Sequence, residues 1–304
     1  MGSSPGRIDL TGVFPPIPTA FEGSEDLALG RLSENLERWE KEPLAGYVVG
    51  GSNGEFVSLS ASERLEVLGH VCETVQSKKW IIAGSGLHST RESIRQTQAM
   101  AELGADAALV VTPGYYKSRM DARALTSHYQ RVADESPIPI ILYNVPANTG
   151  IDMSAEVIVT LSEHANIVGL KDSSGNVAKI AEITMRAPKD FQVLAGSASF
   201  LLGALAVGAV GTISALANIA PRALAALMQS FAKGDMDQAR TIQQRLVRPN
   251  TAVTARFGVA GLKYALTLMG YYGGPTRSPL QALEAEHETE LRQILADAGL
   301  LPGS

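Results

Sequence analysis

The sequence predicts an α/β chain: a (β/α)8 barrel followed by a C-terminal appendage of about three helices. Three observations predict it. Short apolar runs alternate eight times with helical stretches between Gly12 and Gly234, the rhythm of a closed parallel barrel. No Gly-x-Gly-x-x-Gly follows the first run, which counts against the competing doubly wound open sheet. Beyond Gly234 the strand signal stops. The expected boundaries are 1–233 for the barrel with its active site and 234–304 for the helical part.

Taken in order, Gly12–Phe21 opens as a short strand running into a proline-rich loop, and the helix Leu29–Lys41 follows. Gly46–Gly50 is the second strand, leaving through Gly51-Ser52-Asn53-Gly54-Glu55. Ser60 and Glu63 form a capping box that opens a helix reaching about Gln76. After the strand Trp80–Ala83, Ser89 and Glu92 repeat the device for a helix through Leu103. Ala107–Val111 exits at Thr112–Tyr116, the helix Asp121–Ala133 intervenes, and Pro139–Leu142 exits at Tyr143–Pro146. The helix Ser154–Glu163 leads to strand six, Ile167-Val168-Gly169-Leu170-Lys171, which runs straight into polar turn residues. A helix at Val177–Arg186, a strand at Phe191–Leu194, a helix at Phe200–Val207 and a strand at Ala209–Ser214 complete the alternation. Pro221 sits where a first-turn proline belongs. Asp235–Val247, Thr251–Met269 and Leu283–Leu300 read as the final helices.

The 304 residues are 45% hydrophobic and 19% charged, a soluble globular balance with length for a full core. Net charge is −5 and no basic run exceeds Lys78-Lys79, so neither nucleic acid nor an anionic membrane is an expected partner. The single cysteine, Cys72, allows no internal disulfide and reads as a small core filler. Phe191–Pro221 carries no charge, but its glycines and polar residues suit a buried strand–helix–strand better than a membrane span. Met1–Leu10 shows no apolar signal core. Met1-Gly2-Ser3-Ser4 has the composition of a cloning remnant, so cytoplasm and mitochondrial matrix both stay open as locations.

Active sites of such barrels lie at the C-terminal ends of the strands. The exits collect Ser52 and Asn53, Tyr115 and Tyr116, Tyr143, Lys171 and Ser173, and Gly196 with Ser197. Their only acidic residues are Glu55 and Asp172, and no His or Cys is expected among them. A catalytic metal usually needs three ligands of the His/Glu/Asp type, so no metal is expected. His70, His88, His128, His164 and His287 read as surface or half-buried structural residues. An amine against low-dielectric walls is the more readily neutral and nucleophilic. Lysine with phenol and small hydroxyls is the kit for imine chemistry on a 2-oxo acid, with no cofactor. The phenol moves protons, and the amides of Gly50–Gly54 with Ser52 and Asn53 suit a carboxylate. Each piece also has a plainer reading: a snorkelling lysine, a loop-anchoring tyrosine, an ordinary turn. Their coincidence at the exits of one barrel favours the chemistry.

Gly51–Glu55, Tyr143–Gly150 and Gly169–Ser173 resemble the three signatures of the dihydrodipicolinate synthase/N-acetylneuraminate lyase family, and the similarity spans essentially the whole chain. The resemblance implies a pyruvate-dependent class I aldolase or lyase, usually a homotetramer built as a dimer of dimers. It implies Lys171 as the imine-forming lysine, Tyr143 as the proton shuttle, and Ser52 with Asn53 as the carboxylate-binding pair. Tyr115 matches a tyrosine that reaches into a neighbouring subunit's relay. Asn148 departs from the synthase pattern, which usually has an arginine there for an aldehyde's carboxylate. Val145–Gly150, Phe191–Ser197 and Gly270–Pro275 are similar to the family's 4-hydroxy-2-oxoglutarate aldolases, where the residues matching Ser173 and Gly196 also line the substrate site. The expected reaction is cleavage of 4-hydroxy-2-oxoglutarate to pyruvate and glyoxylate, with Arg119 or Ser173 as candidates for the distal carboxylate. Its rivals are a 2-oxo-3-deoxy sugar acid aldolase, an oxaloacetate decarboxylase, and a catalytically silent pyruvate-binding barrel.

Overall fold

A computed structural model describes residues 8–301, so the Met1–Ser4 reading lies outside the described residues. Its strands are β1 (Gly12–Phe14), β2 (Gly46–Val49), β3 (Trp80–Gly84), β4 (Ala107–Val111), β5 (Ile140–Asn144), β6 (Ile167–Asp172), β7 (Gln192–Ala195) and β8 (Gly211–Ile213). They form one parallel sheet in the order β1-β8-β7-β6-β5-β4-β3-β2. The remaining seam is closed by Ala45 N donating to Val13 O at 3.0 Å and Val48 N donating to Pro15 O at 2.9 Å. Sequence and structure agree on the (β/α)8 barrel.

The strands read as continuous apolar runs because both faces are covered. Phe14, Val48, Ile82, Ile141 and Leu194 fill the barrel interior. Residues such as Val49, Ala83, Val110 and Leu170 face the surrounding helices. Tyr143 belongs to the inner cluster, so its phenol rises from the barrel floor toward the mouth. Ser60 closes its capping box in both directions, and Ser89, Asp121 and Ser154 each accept from a backbone N–H in the first helical turn. Pro221 opens the helix Pro221–Ala232 as expected. Among the described residues no helix is long and apolar enough to cross a membrane; the uncharged stretch 191–221 holds β7, the short helix Leu201–Ala206 and β8.

Three details differ from the sequence reading. β1 and β8 are only three residues each, because the flanking chain turns into loops at the barrel rims. Pro249 does not end its helix: Met236–Thr251 runs through it, and a wide π turn at Ala252–Arg256 precedes the next helix, Gly258–Leu268. His128 is buried, with its Nδ1 2.9 Å from Thr90 Oγ1, rather than at the surface or half-buried. The last helix is Ala285–Asp297.

Candidate active site

β5 and β6 are paired in a register that sets Tyr143 beside Lys171. Both side chains are buried, at 5% and 3% exposure. Lys171 Nζ stands 4.0 Å from the centroid of the Tyr143 ring, and Ser52 Oγ lies 3.2 Å from the phenol oxygen. Burial pushes the phenol's pKa up, but the Lys171 ammonium and the Ser52, Lys171 and Ser173 hydrogen-bonding groups outweigh it. The net result is a phenol below its usual range, poised to give and take protons closer to neutrality.

Lys171 is flanked by a carboxylate that is fully engaged elsewhere. Asp172 is completely buried. It accepts from Asn144 Nδ2 at 3.1 Å and from Ser174 N at 2.7 Å, and pairs with Lys179 Nζ at 3.0 Å. Successive strand residues point to opposite faces, so Asp172 braces the outside of β6 while Lys171 stays on the inner face with Tyr143. The next turn is fixed by Ser173 N donating to Asn144 O and by Gly196 N donating to Asp172 O. A Cβ on Gly196 would lie 2.0 Å from Ser173 Oγ. Only glycine lets the β7 exit pack against the serine.

Ser52 and Asn53 begin a single 3-10 turn, Ser52–Gly54, at the exit of β2. On the Ser52 side a cleft of about 650 Å3 opens, lined also by Thr112, Asn148, Thr149, His88 and Tyr115. Thr112 Oγ1 donates to Thr149 Oγ1 at 3.1 Å, and Asn148 Nδ2 donates to Ser52 Oγ at 3.5 Å. Contacts thus link Lys171, Tyr143, Ser52, Ser173 and Gly196, while Asn53 stands next to Ser52 in the turn. Tyr115 is placed differently. Its side chain is 74% exposed at the cleft's edge, with ring contacts to His88 at 6.1 Å and Tyr116 at 5.0 Å.

His88 corrects the expectation that no exit carries a histidine: it follows Gly86 beyond β3 and lines the cleft. Thr112 and Thr149 were also missed, since isolated threonines in exit loops carry no pattern of their own. Among the described residues no three His, Cys, Asp or Glu side chains gather as a metal-holding group. Cys72, half-buried, has its thiol pushed up to about 11 by burial and by the nearby Asp106 and Glu73 carboxylates, which makes it a poor nucleophile.

A family model described as the dihydrodipicolinate synthetase family matches residues 9–298. The chain belongs to that family. A 4-hydroxy-tetrahydrodipicolinate synthase of Methanothrix thermoacetophila is 37% identical over 293 residues, 96% of this chain and 98% of the relative. The crystal structure of dihydrodipicolinate synthase DapA-2 from Bacillus anthracis superposes with a TM-score of 0.92 at 28% identity, covering 97% of this chain and all of that one (100%). The chloride-inhibited dihydrodipicolinate synthase of Acinetobacter baumannii, solved with pyruvate, gives a TM-score of 0.91 at 32% identity, covering 96% of this chain and 100% of its own. The chain is therefore a carbon–carbon lyase of the class I aldolase type, a family to which a small 2-oxo acid substrate fits.

Proposed function

We propose that the protein cleaves 4-hydroxy-2-oxoglutarate to pyruvate and glyoxylate through an imine on Lys171. The observation that carries the imine is the buried Lys171 amine 4.0 Å from the Tyr143 ring, with Ser52 on the phenol. Lys171 Nζ attacks the C2 ketone, and loss of water from the carbinolamine leaves an iminium. Tyr143, relayed through Ser52 and Tyr115, takes the C4 hydroxyl proton, and the C3–C4 bond breaks to release glyoxylate. Its electron pair enters the enamine, which is protonated at C3 and hydrolysed to pyruvate. Ser52, Asn53 and the turn's amides hold the C1 carboxylate, while Ser173 and Gly196 line the opposite wall. The exposed Tyr115 and Tyr116, at 74% and 70%, support a homotetramer in which a neighbouring subunit covers this aromatic edge and completes the relay.

Asn148, a neutral amide donating to Ser52 Oγ at 3.5 Å, departs from the arginine expected there in a synthase; in the proposed reaction the distal carboxylate, which leaves with glyoxylate, falls to Arg119 or Ser173. The second reading is formation of 4-hydroxy-tetrahydrodipicolinate, the activity in the relatives' names. Borohydride reduction in the presence of pyruvate, followed by intact mass, is expected to leave one adduct at Lys171. Lys171→Ala and Lys171→Arg are expected to abolish both adduct and turnover; substantial residual activity would sink the mechanism. Steady-state rates for cleavage of 4-hydroxy-2-oxoglutarate and for synthase product then decide between the two readings.

A further inference from the structure

The turn that carries Ser52 and Asn53 is tied to the C-terminal helices by a buried charge pair. Glu55 directly follows the turn and is 2% exposed; Lys263, in the helix Gly258–Leu268, is 1% exposed. Lys263 Nζ lies 2.6 Å from Glu55 Oε1 and donates to Pro275 O at 2.6 Å. The other carboxylate oxygen, Oε2, accepts from Arg277 N at 2.9 Å. The ammonium and the Arg277 guanidinium both sit 4.4 Å from the centroid of the Phe21 ring. Arg277 is in turn held by both Glu63 oxygens and by the carbonyls of Ser58 and Glu25.

Glu55 has a left-handed backbone, φ 53°, a conformation in which a side chain crowds the carbonyl and glycine relieves it. Its N–H donates to Ser52 O at 3.2 Å, and Gly54 O accepts from Thr19 Oγ1 at 2.7 Å. A glutamate occupies this position although its backbone suits glycine, and both carboxylate oxygens reach the C-terminal segment. A buried ion pair adds little stability over apolar packing, so its place beside the turn points to orientation rather than to stability.

We propose that Lys263 is a positioning residue: acting through Glu55, it sets the Ser52–Gly54 turn in the geometry that receives the substrate carboxylate. The inference rests on the proposed role of Ser52 and Asn53 as the carboxylate cradle. In this arrangement the C-terminal helices are part of the frame of the site. Removing the ammonium frees the turn without touching Lys171, so the loss falls on capture of the 2-oxo acid.

The test is borohydride trapping of the full-length protein at graded pyruvate concentrations, with melting temperatures measured in parallel. Lys263→Met is expected to raise the half-saturating pyruvate concentration by roughly tenfold or more, with the trapped fraction at saturation unchanged. The double variant Glu55→Gln/Lys263→Met removes both charges of the pair and is expected to fold and show the same shift, while Lys263→Arg retains most of the affinity. A folded double variant that half-saturates like the wild type overturns the inference, whatever its melting temperature. Ser52→Ala separates the two readings. If it leaves half-saturation unchanged, the cradle assignment itself fails; if it shifts while the Lys263 variants do not, only the positioning role fails.

Discussion

Tyr143 and His128 show how one environment, burial, produces opposite kinds of residue. Tyr143 is buried beside an ammonium and hydrogen-bonding hydroxyls, so its phenol titrates below its usual range. The activity limb assigned to it is expected to rise with pH and reach its plateau below an ordinary tyrosine value of about 10. Tyr143→Phe is expected to lose that limb and to slow cleavage about 10²-fold; a pH–rate profile of both proteins checks it. At His128 no neighbouring charge offsets burial. Burial first, then the Arg131 guanidinium, pushes its imidazole down to about 4, and its Nε2 is buried without a hydrogen-bond partner. The unfolded chain therefore binds the proton before the folded one does. Stability is fully present above the unfolded value of about 6.5 and declines as pH falls toward 4, by roughly 3 kcal/mol. Denaturant unfolding of wild type and His128→Gln across that window is expected to show a shallower slope in the variant; equal slopes would refute the assignment.

At the scale of elements, the site is a set of strand exits braced from outside. The β6 exit is held by Asp172, Asn144 and Lys179, with Lys179 also reaching Asp152 at 2.5 Å. The β7 exit is held by Asn250, whose Nδ2 donates to Ser197 Oγ and Ser199 Oγ, both at 2.8 Å. Those bonds also bear on how the helix Met236–Thr251 runs through Pro249. Proline removes a helical N–H, but the residue after it is anchored to the barrel, and the π turn absorbs the mismatch further on. Gly196 is where two exits meet. Gly196→Ala would drive its Cβ into Ser173 Oγ and within 2.7 Å of Asp172 O. The expected outcome is a loss of about 1–3 kcal/mol of stability and at least a tenfold drop in kcat/KM, roughly. Thermal melts and steady-state kinetics read both, and unchanged kinetics would show that the exit loop yields without disturbing the site.

For the whole molecule, the division expected at residues 233 and 234 describes the chain's order of elements, and we propose it as a boundary of architecture rather than of function. Bonds from Lys263, Arg277 and Asn250 cross it to reach barrel exits. A chain ending near Gly234 is expected to lose pyruvate trapping, because the Ser52–Gly54 turn would lose the Lys263 and Arg277 contacts that hold the Glu55 carboxylate beside it. Trapping by a soluble, folded chain cut at that point would contradict this dependence.

Fold class and the strand-end placing of Lys171 and Tyr143 were legible in the sequence because both depend on local signals. Apolar runs mark strands buried on two faces, capping boxes mark helix starts, and strand counting places Lys171 and Tyr143 at one end of a barrel. Relations between side chains from distant elements were not legible. Lys263 lies within an apolar helix that gives no sign of its acidic partner, 208 residues earlier in the chain (263 less 55). His88 and Tyr115 come from different exits and meet only when β3 and β4 are side by side. The sequence by itself determined the barrel and the strand ends at which Lys171 and Tyr143 stand. Only the tertiary structure decided which of them touch, because register, strand tilt and the docking of the C-terminal helices set ångström-scale distances that no spacing along the chain encodes.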